Sequence, residues 1–74
     1  MSNSDFKYMV EATAADLAEL LSEELGLGIS ESLDILYNSE TYSKLIDARS
    51  GLYFQSARYV FSFLKQELAL GKLA

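Results

Sequence analysis

The chain has no cysteine, histidine, tryptophan or proline among its 74 residues. Without cysteine it can form no disulfide, no thiol nucleophile and no thiolate site for zinc or an iron–sulfur cluster. Without histidine it lacks the most common general base and transition-metal ligand. A Gly-x-Ser-x-Gly nucleophile elbow and a glycine-rich phosphate loop are also missing. We therefore expect a protein that is not an enzyme and that holds no cofactor and no metal.

The small size limits the core. A domain of about this size buries only about 60% of the surface that its unfolded chain exposes. Half of the residues are apolar, which is enough to form a core. Small domains without disulfide or metal support usually need very good packing or a partner subunit. The composition therefore favours a homo-oligomer or association with another protein.

Long apolar runs are absent from the sequence as well. No run approaches the roughly 20 residues of a membrane span. The N-terminal stretch MSNSDFKYMVEA lacks the basic start and the continuous apolar segment of a secretory signal. We expect a cytoplasmic protein without a membrane partner.

The formal net charge is −5, which disfavours binding to nucleic acid or to anionic membranes. Residues 1–40 contain nine acidic residues and one lysine, a local charge of −8, whereas residues 44–65 contain four basic residues and one aspartate, a local charge of +3. We expect the first and last helices to attract each other within one chain or across a dimer. The acidic residues of the first helix lack the ligand pattern of a calcium loop and are interpreted as a solvated face.

Apolar residues recur at steps of three and four over residues 5–25, which predicts an amphipathic helix. Serine and asparagine at positions 2–4 are candidate N-caps, and Gly26 can take the left-handed conformation that ends a helix. Thr13-x-x-Asp16 resembles a capping box, so a start or a kink at Thr13 stays open. The expected buried face consists of Phe6, Met9, Val10, Thr13, Leu17, Leu20, Leu21 and Leu25.

Two short helices are predicted next. Ser30 is the expected N-cap of a helix over residues 31–37. Asn38, in a left-handed conformation, is expected to end that helix, and Ser39 to cap a third helix over residues 40–47. The apolar residues expected to pack inward are Ile29, Leu33, Leu36, Tyr37, Tyr42, Leu45 and Ile46.

The segment DARSG, residues 47–51, predicts a turn in which Gly51 has a positive φ. Residues 52–55 are expected to be a short extended segment, too brief to form a sheet. Its side chains Leu52 and Phe54 are expected to fill the core.

Ser56 is the expected N-cap of a last helix over residues 57–70, which Gly71 ends. We therefore predict an all-α single domain over residues 1–74, with residues 1–4 as a frayed N-terminus. It is a small bundle in which two longer helices pack together and two short helices lie between them in sequence.

The last helix is apolar around more of its circumference than one packed face needs. Its apolar side chains span roughly 200°, against about 100° for a typical surface helix. One flank should stay uncovered in a monomer. Glu67 falls inside this arc, and we expect it either to reach solvent near the helix end or to pair with a basic residue across an interface. The arc consists of Ala57, Tyr59, Val60, Phe61, Phe63, Leu64, Leu68 and Leu70.

The preferred function is protein–protein interaction. The chain is expected to self-associate as a dimer, or to dock on another protein, through Tyr59, Phe63 and Leu70. Phe61 is a further candidate anchor for the partner.

Two other functions stay open. In one, Arg49, Tyr53, Arg58 and Tyr59 line an anion or small-ligand pocket at the N-terminus of the last helix. In the other, the acidic first helix neutralises a basic protein partner, as an antitoxin or inhibitor does. Recognition of nucleic acid is not expected, because few basic residues accompany the tyrosines and the third helix is acidic.

Residues 36–67 resemble a known protein family. The pattern is Leu-Tyr-Asn-Ser-x-Thr-Tyr-x-x-Leu-x-Asp, then Gly-Leu-Tyr-x-x-Ser-x-x-Tyr-Val, then Leu-x-x-Glu. It resembles a family of short bacterial proteins without an established activity, in which an amphipathic helix precedes a YNS-x-TY…TGLY-x-x-SP-x-Y block. Here Ser50 and Ala57 stand where threonine and proline are frequent, and proline after a serine N-cap agrees with a helix that starts at Ala57. The resemblance implies a fold and no catalytic residue.

Overall fold

The computed structural model describes residues 3–70, with side chains from residue 5 onward. These residues form an all-α fold without a β-strand, and the predicted bundle of two longer helices with two short helices between them is confirmed. The expected cap Ser2 and the expected helix end Gly71 lie outside the described residues. The helices are α1 (Asn3–Leu25), α2 (Ile29–Tyr37), α3 (Glu40–Leu45) and α4 (Ala57–Ala69), and two 3-10 helices (Ala48–Ser50 and Leu52–Phe54) lie between α3 and α4.

Helix α1 runs without interruption through Thr13, so the alternative of a helix start at that residue is wrong. At its C-terminal end, Gly26 has the predicted positive φ, 68°. The N–H groups of Gly26 and Leu27 both donate to the Ser22 carbonyl, at 2.9 and 3.2 Å, and the Ser22 hydroxyl donates to the Leu27 carbonyl at 2.6 Å. These bonds satisfy polar groups that the end of a helix would otherwise leave without a partner.

Helix α2 begins earlier than predicted, with Gly28 as its N-cap at φ −69° and ψ 163°. The prediction that Ser30 is the N-cap of this helix is therefore wrong. The N–H and the hydroxyl of Ser32 both donate to the Gly28 carbonyl at 3.0 Å, which places the first helical bond there. Asn38 ends α2 at φ −95°, so the left-handed conformation expected for it is also wrong.

Helix α3 has the predicted N-cap, Ser39. The Ser39 hydroxyl accepts a hydrogen bond from the Tyr42 N–H at 3.0 Å and donates one to the Leu36 carbonyl at 2.6 Å. The helix ends earlier than the predicted Asp47. The reason is that the Asp47 carboxylate accepts a hydrogen bond from the backbone N–H of Arg49 at 3.0 Å and so caps the following 3-10 helix.

The connection to α4 has the predicted positive φ at Gly51, 74°. The extended segment expected at residues 52–55 is wrong for its first three residues, because Leu52–Phe54 form a 3-10 helix, whereas Gln55 has extended backbone angles. The Phe54 N–H donates to the Gly51 carbonyl at 3.1 Å, and the Gln55 N–H donates to the Leu52 carbonyl at 3.0 Å. Two successive bonds of this kind close a tight turn, which shortens the path from α3 to α4.

The side chains of this turn are only partly placed as expected. Leu52 packs against the core, as predicted, whereas Phe54 is 63% exposed. Tyr53 packs inward instead, with its ring centre 4.8 Å from that of Phe6 in an edge-to-face arrangement. The turn therefore contacts the N-terminal half of α1 through Tyr53.

The core lies between α1 and the other helices. The apolar side chains of Leu25, Ile29, Tyr37 and Ile46, expected to pack inward, are instead about half exposed. All four lie at or next to the ends of helices. The buried apolar residues are Val10, Ala14, Leu17, Ala18, Leu21, Leu36, Leu45, Val60, Phe61 and Leu64.

Helix α4 begins as predicted, with the Ser56 hydroxyl accepting a hydrogen bond from the Tyr59 N–H at 3.2 Å. Lys65 on α4 forms an ion pair with Glu24 on α1 at 3.5 Å, so the first and last helices are in electrostatic contact within the chain. None of the helices in residues 3–70 is both long and apolar enough to cross a membrane.

Candidate interaction site

Helix α4 and its C-cap residue, Leu70, expose three large apolar side chains on one face, and Leu68 is 38% exposed on another face of the helix. Tyr59, Phe63 and Leu70 are 48%, 41% and 65% exposed, and their spacing of four and seven residues aligns them along the helix. The rings of Tyr59 and Phe63 meet edge to face with centres 5.1 Å apart. This face, which we call the α4 stripe, is the uncovered flank that the apolar arc predicts.

Phe61 lies on the opposite flank and is buried. Its side chain is 5% exposed and belongs to the core. The Lys65 ammonium lies 5.7 Å from the centre of its ring, close enough for a cation–π contact. The expectation that Phe61 anchors a partner is therefore wrong, because Phe61 is already buried in the core of its own chain.

A groove runs beside the α4 stripe, between α3 and α4. It has a volume of about 280 Å³. Leu52, Phe63 and Leu70 form its apolar walls, and Glu40 and Lys44 of α3 form its charged rim. Phe63 and Leu70 belong to both the stripe and this α3–α4 groove, so the two features form one continuous surface.

Glu67 fixes α3 against α4 at this groove. It is 4% exposed, and its carboxylate accepts hydrogen bonds from the N–H groups of Glu40 at 2.8 Å and Thr41 at 3.0 Å, and from the Thr41 hydroxyl at 2.9 Å. The next N–H, that of Tyr42, donates to Ser39. The first three N–H groups of α3 therefore all have acceptors, two of them from α4.

The expectation that Glu67 reaches solvent near the helix end is wrong, since its side chain is buried and its carboxylate caps a helix of its own chain. The alternative of an ion pair across an interface stays a prediction. The sequence offers one signal of this capping role, an acidic residue inside an apolar arc. It offers no signal of the partner, because Thr41 lies 26 residues away. The sequence also does not indicate that the α3–α4 groove is lined by Thr41, Lys44 and Leu52.

The residues of the anion-site alternative lie outside the α3–α4 groove. The Arg49 guanidinium donates to both carboxylate oxygens of Asp47, at 3.1 and 3.0 Å. Tyr53 packs against an aromatic ring of α1, Arg58 is exposed, and Tyr59 belongs to the α4 stripe. None of these four predicted residues lines the α3–α4 groove.

A second cleft, of about 390 Å³, lies between the N-terminal part of α1 and α3. Its wall includes Tyr42, whose ring centre lies 5.0 Å from that of Tyr37. Burial raises the pKa of Tyr42, and the charges of Tyr37 and Glu11 add to this effect. The charged groups at the cleft, Lys7 and Glu11, are exposed, so it contains no buried charge that would fix a ligand. None of the residues predicted to form a functional site lines it.

The acidic face of α1 is solvent-exposed at Asp16, Glu19 and Glu23. Within the described part of the chain, no group of acidic side chains is arranged to hold a metal ion. Glu24, at the end of this face, is paired with Lys65.

The chain matches no family model, no curated protein and no solved structure. The resemblance of residues 36–67 to a family of short bacterial proteins stays a prediction.

Proposed function

We propose that the protein is a non-catalytic interaction module that self-associates through the α4 stripe and the α3–α4 groove. The observation that carries this proposal is the exposure of Tyr59, Phe63 and Leu70 on one face of α4. Apolar side chains exposed singly are normal on a protein surface, whereas an aligned group beside a groove is typical of an interaction site.

The area of the stripe indicates how much more surface the interface needs. A stable interface covers roughly 800 Å² on each partner. A fully buried aromatic side chain contributes about 150–250 Å², and the three stripe residues are already partly covered. They supply less than about half of that area, so the interface must extend over the groove and the rim on α3.

The groove suits side chains of a protein partner better than a small ligand. Its volume of about 280 Å³ is at the lower limit of ligand pockets, which measure about 300–1,000 Å³. Because Glu67 holds α3 in place, the groove is formed before a partner arrives, which reduces the entropy lost on binding.

The two alternative functions lack comparable support. The Arg49 guanidinium is hydrogen-bonded to the Asp47 carboxylate, and the acidic face of α1 has no second feature that favours a basic partner. Self-association is therefore the function that the exposed surface supports best.

Sedimentation equilibrium at micromolar concentrations tests the proposal. The wild-type protein is expected to be a dimer. The double substitution Tyr59→Ala and Phe63→Ala should weaken the dimer by about 2 kcal/mol or more, about 30-fold in the dissociation constant, because central aromatic residues dominate interface energies.

Tyr8→Ala is the matched control. Tyr8 is also an exposed helical tyrosine, 73% exposed, but it lies on α1. Its substitution should leave the dissociation constant unchanged. A wild-type protein that stays monomeric throughout the micromolar range would contradict the proposal.

A further inference from the structure

Two opposite charges lie one helical turn apart on the rim of the α3–α4 groove. Glu40 and Lys44 both line the groove, and both side chains are exposed. Neither forms an ion pair with another residue in the described part of the chain. Asp47 and Glu24, in contrast, are each paired with a basic residue of the same chain. The rim charges are therefore available to a partner.

The order of these two charges makes the rim complementary to the same rim on a second copy of the chain. In a two-fold symmetric interface every contact occurs twice. If one residue of the first copy contacts a different residue of the second copy, the same two residues also meet with the copies exchanged. When a copy is rotated by 180° about an axis perpendicular to α3, its Lys44 comes over Glu40 and its Glu40 comes over Lys44. One acid and one base on the same rim then form two ion pairs.

We propose that the α3–α4 groove is covered by the same face of a second copy of this chain, with Glu40 paired to Lys44 of the partner subunit and Lys44 paired to Glu40 of the partner subunit. This inference rests on the proposed self-association. It adds the orientation of the dimer, because the axis that pairs the rim charges lies in the interface plane and passes over α3 midway between them.

The same rotation also places the apolar surfaces together. With the axis in the plane of the interface, each α3 lies over the partner's α3 and each α3–α4 groove lies over the partner's groove. The shared apolar surface then includes Phe63 and Leu70, which contribute to both the stripe and the groove wall. Burial of these side chains supplies most of the affinity, and the rim charges fix the register.

The charge of the whole molecule favours this face over others for self-association. Two copies with a net charge of −5 repel each other over most of their surface. On the proposed face, the exposed α4 residues Tyr59, Phe63, Gln66 and Leu70 carry no charge, and the exposed rim charges cancel. Contact at this face therefore brings no like charges together.

Charge reversal tests the register. In the proposed dimer, Glu40→Lys would place a lysine against a lysine at both rim contacts, and Lys44→Glu would place a glutamate against a glutamate at both. Each single substitution should weaken the homodimer about tenfold or more at low salt. The double substitution Glu40→Lys with Lys44→Glu restores both pairs and should return the dissociation constant to within about threefold of the wild-type value.

A mixing experiment gives a second measurement with the same two proteins. When the Glu40→Lys and Lys44→Glu proteins are combined in equal amounts, every rim charge of one faces an opposite charge of the other. Sedimentation should then show a heterodimer tighter than either homodimer. A partner other than a second copy predicts no such heterodimer.

Matched controls separate local pairing from net charge. Lys7→Glu and Glu19→Lys make the same charge changes on the exposed surface of α1 and should leave the dimer unchanged. Circular dichroism verifies that each variant is folded. If a reversal unfolds the protein, Glu40→Gln and Lys44→Gln remove one charge each with little effect on the helix, and each should weaken the dimer about threefold.

The outcomes separate this inference from the proposed function. If Tyr59→Ala with Phe63→Ala dissociates the dimer but Lys44→Glu behaves like Lys7→Glu, the register is overturned and self-association through the stripe stands. Failure of the double reversal and of the mixture to restore the dimer also overturns the register. A monomeric wild-type protein overturns both.

Discussion

The carboxylate of Glu67 on α4 accepts two hydrogen bonds from Thr41 on α3, one from its backbone N–H at 3.0 Å and one from its hydroxyl at 2.9 Å. A six-residue helix such as α3 is too short to be stable alone in water. A carboxylate at its N-terminus both accepts the free N–H groups and interacts favourably with the helix dipole. Glu67 therefore connects the formation of α3 to its packing on α4.

Glu67→Gln should lower the free energy of unfolding by about 1–3 kcal/mol. The two carboxylate oxygens of Glu67 accept from Glu40 and from Thr41. A glutamine amide has one acceptor oxygen and an NH2 group that only donates, so one of these two hydrogen bonds is lost. Urea denaturation measures the change, and the midpoint should fall with little change in the slope.

The control for this prediction is Glu24→Gln, which removes the exposed ion pair with Lys65. Exposed pairs contribute about 0–1 kcal/mol, so this variant should unfold close to the wild-type midpoint. Equal midpoints for Glu67→Gln and Glu24→Gln would show that the buried cap does not stabilise the fold.

Several helix boundaries could be predicted from the sequence because their causes are local. Ser39 and Ser56 each accept a hydrogen bond from an N–H three residues later, and Gly51 has the positive φ that glycine favours. Ser30 has the same chemistry as these caps, yet it lies inside α2 because the Gly28 carbonyl is the first helical acceptor.

The site could be predicted only in part. Counting apolar residues around α4 indicates that one flank is uncovered, but only tertiary packing decides which flank. Phe61 is covered and Phe63 is not. The groove could not be predicted at all, since it requires the contact between Glu67 and Thr41, which no periodicity of a single helix encodes.

The ion pair between Asp47 and Arg49 predicts that the fold loses some stability in acid. Hydrogen bonds from the Arg49 side chain and then from its backbone N–H lower the pKa of Asp47 below its ordinary value. Because the folded pKa is the lower one, ionised Asp47 stabilises the fold above the ordinary aspartate pKa of about 3.9, and this contribution is lost as the pH falls through the lowered pKa. Titration of the Asp47 carboxyl carbon by NMR should give a midpoint below about 3.9.

Arg49→Gln is the corresponding control, because it removes the guanidinium and keeps a backbone N–H at the same position. The pKa of Asp47 should rise towards its ordinary value in this variant. An unchanged midpoint would assign the shift to the backbone hydrogen bond alone and contradict the role of the side chain.

Two glycine substitutions should change stability in opposite directions. Gly51 has a φ of 74°, and an added Cβ would meet no atom within 4 Å, so Gly51→Ala is opposed only by the left-handed backbone. We expect it to lower the free energy of unfolding by about 1–2 kcal/mol.

Gly28→Ser should instead raise the free energy of unfolding, by about 0.5–1 kcal/mol. Gly28 has a φ of −69°, which any residue adopts, and no side chain among the described residues caps α2. A Cβ there would lie 3.9 Å from a Glu31 carboxylate oxygen, an ordinary contact. The serine hydroxyl would supply the missing acceptor, and the substitution would also reduce the entropy of the unfolded chain. Thermal denaturation of both variants should show melting temperatures on opposite sides of the wild-type value, and a fall in both would mean that α2 does not begin at Ile29.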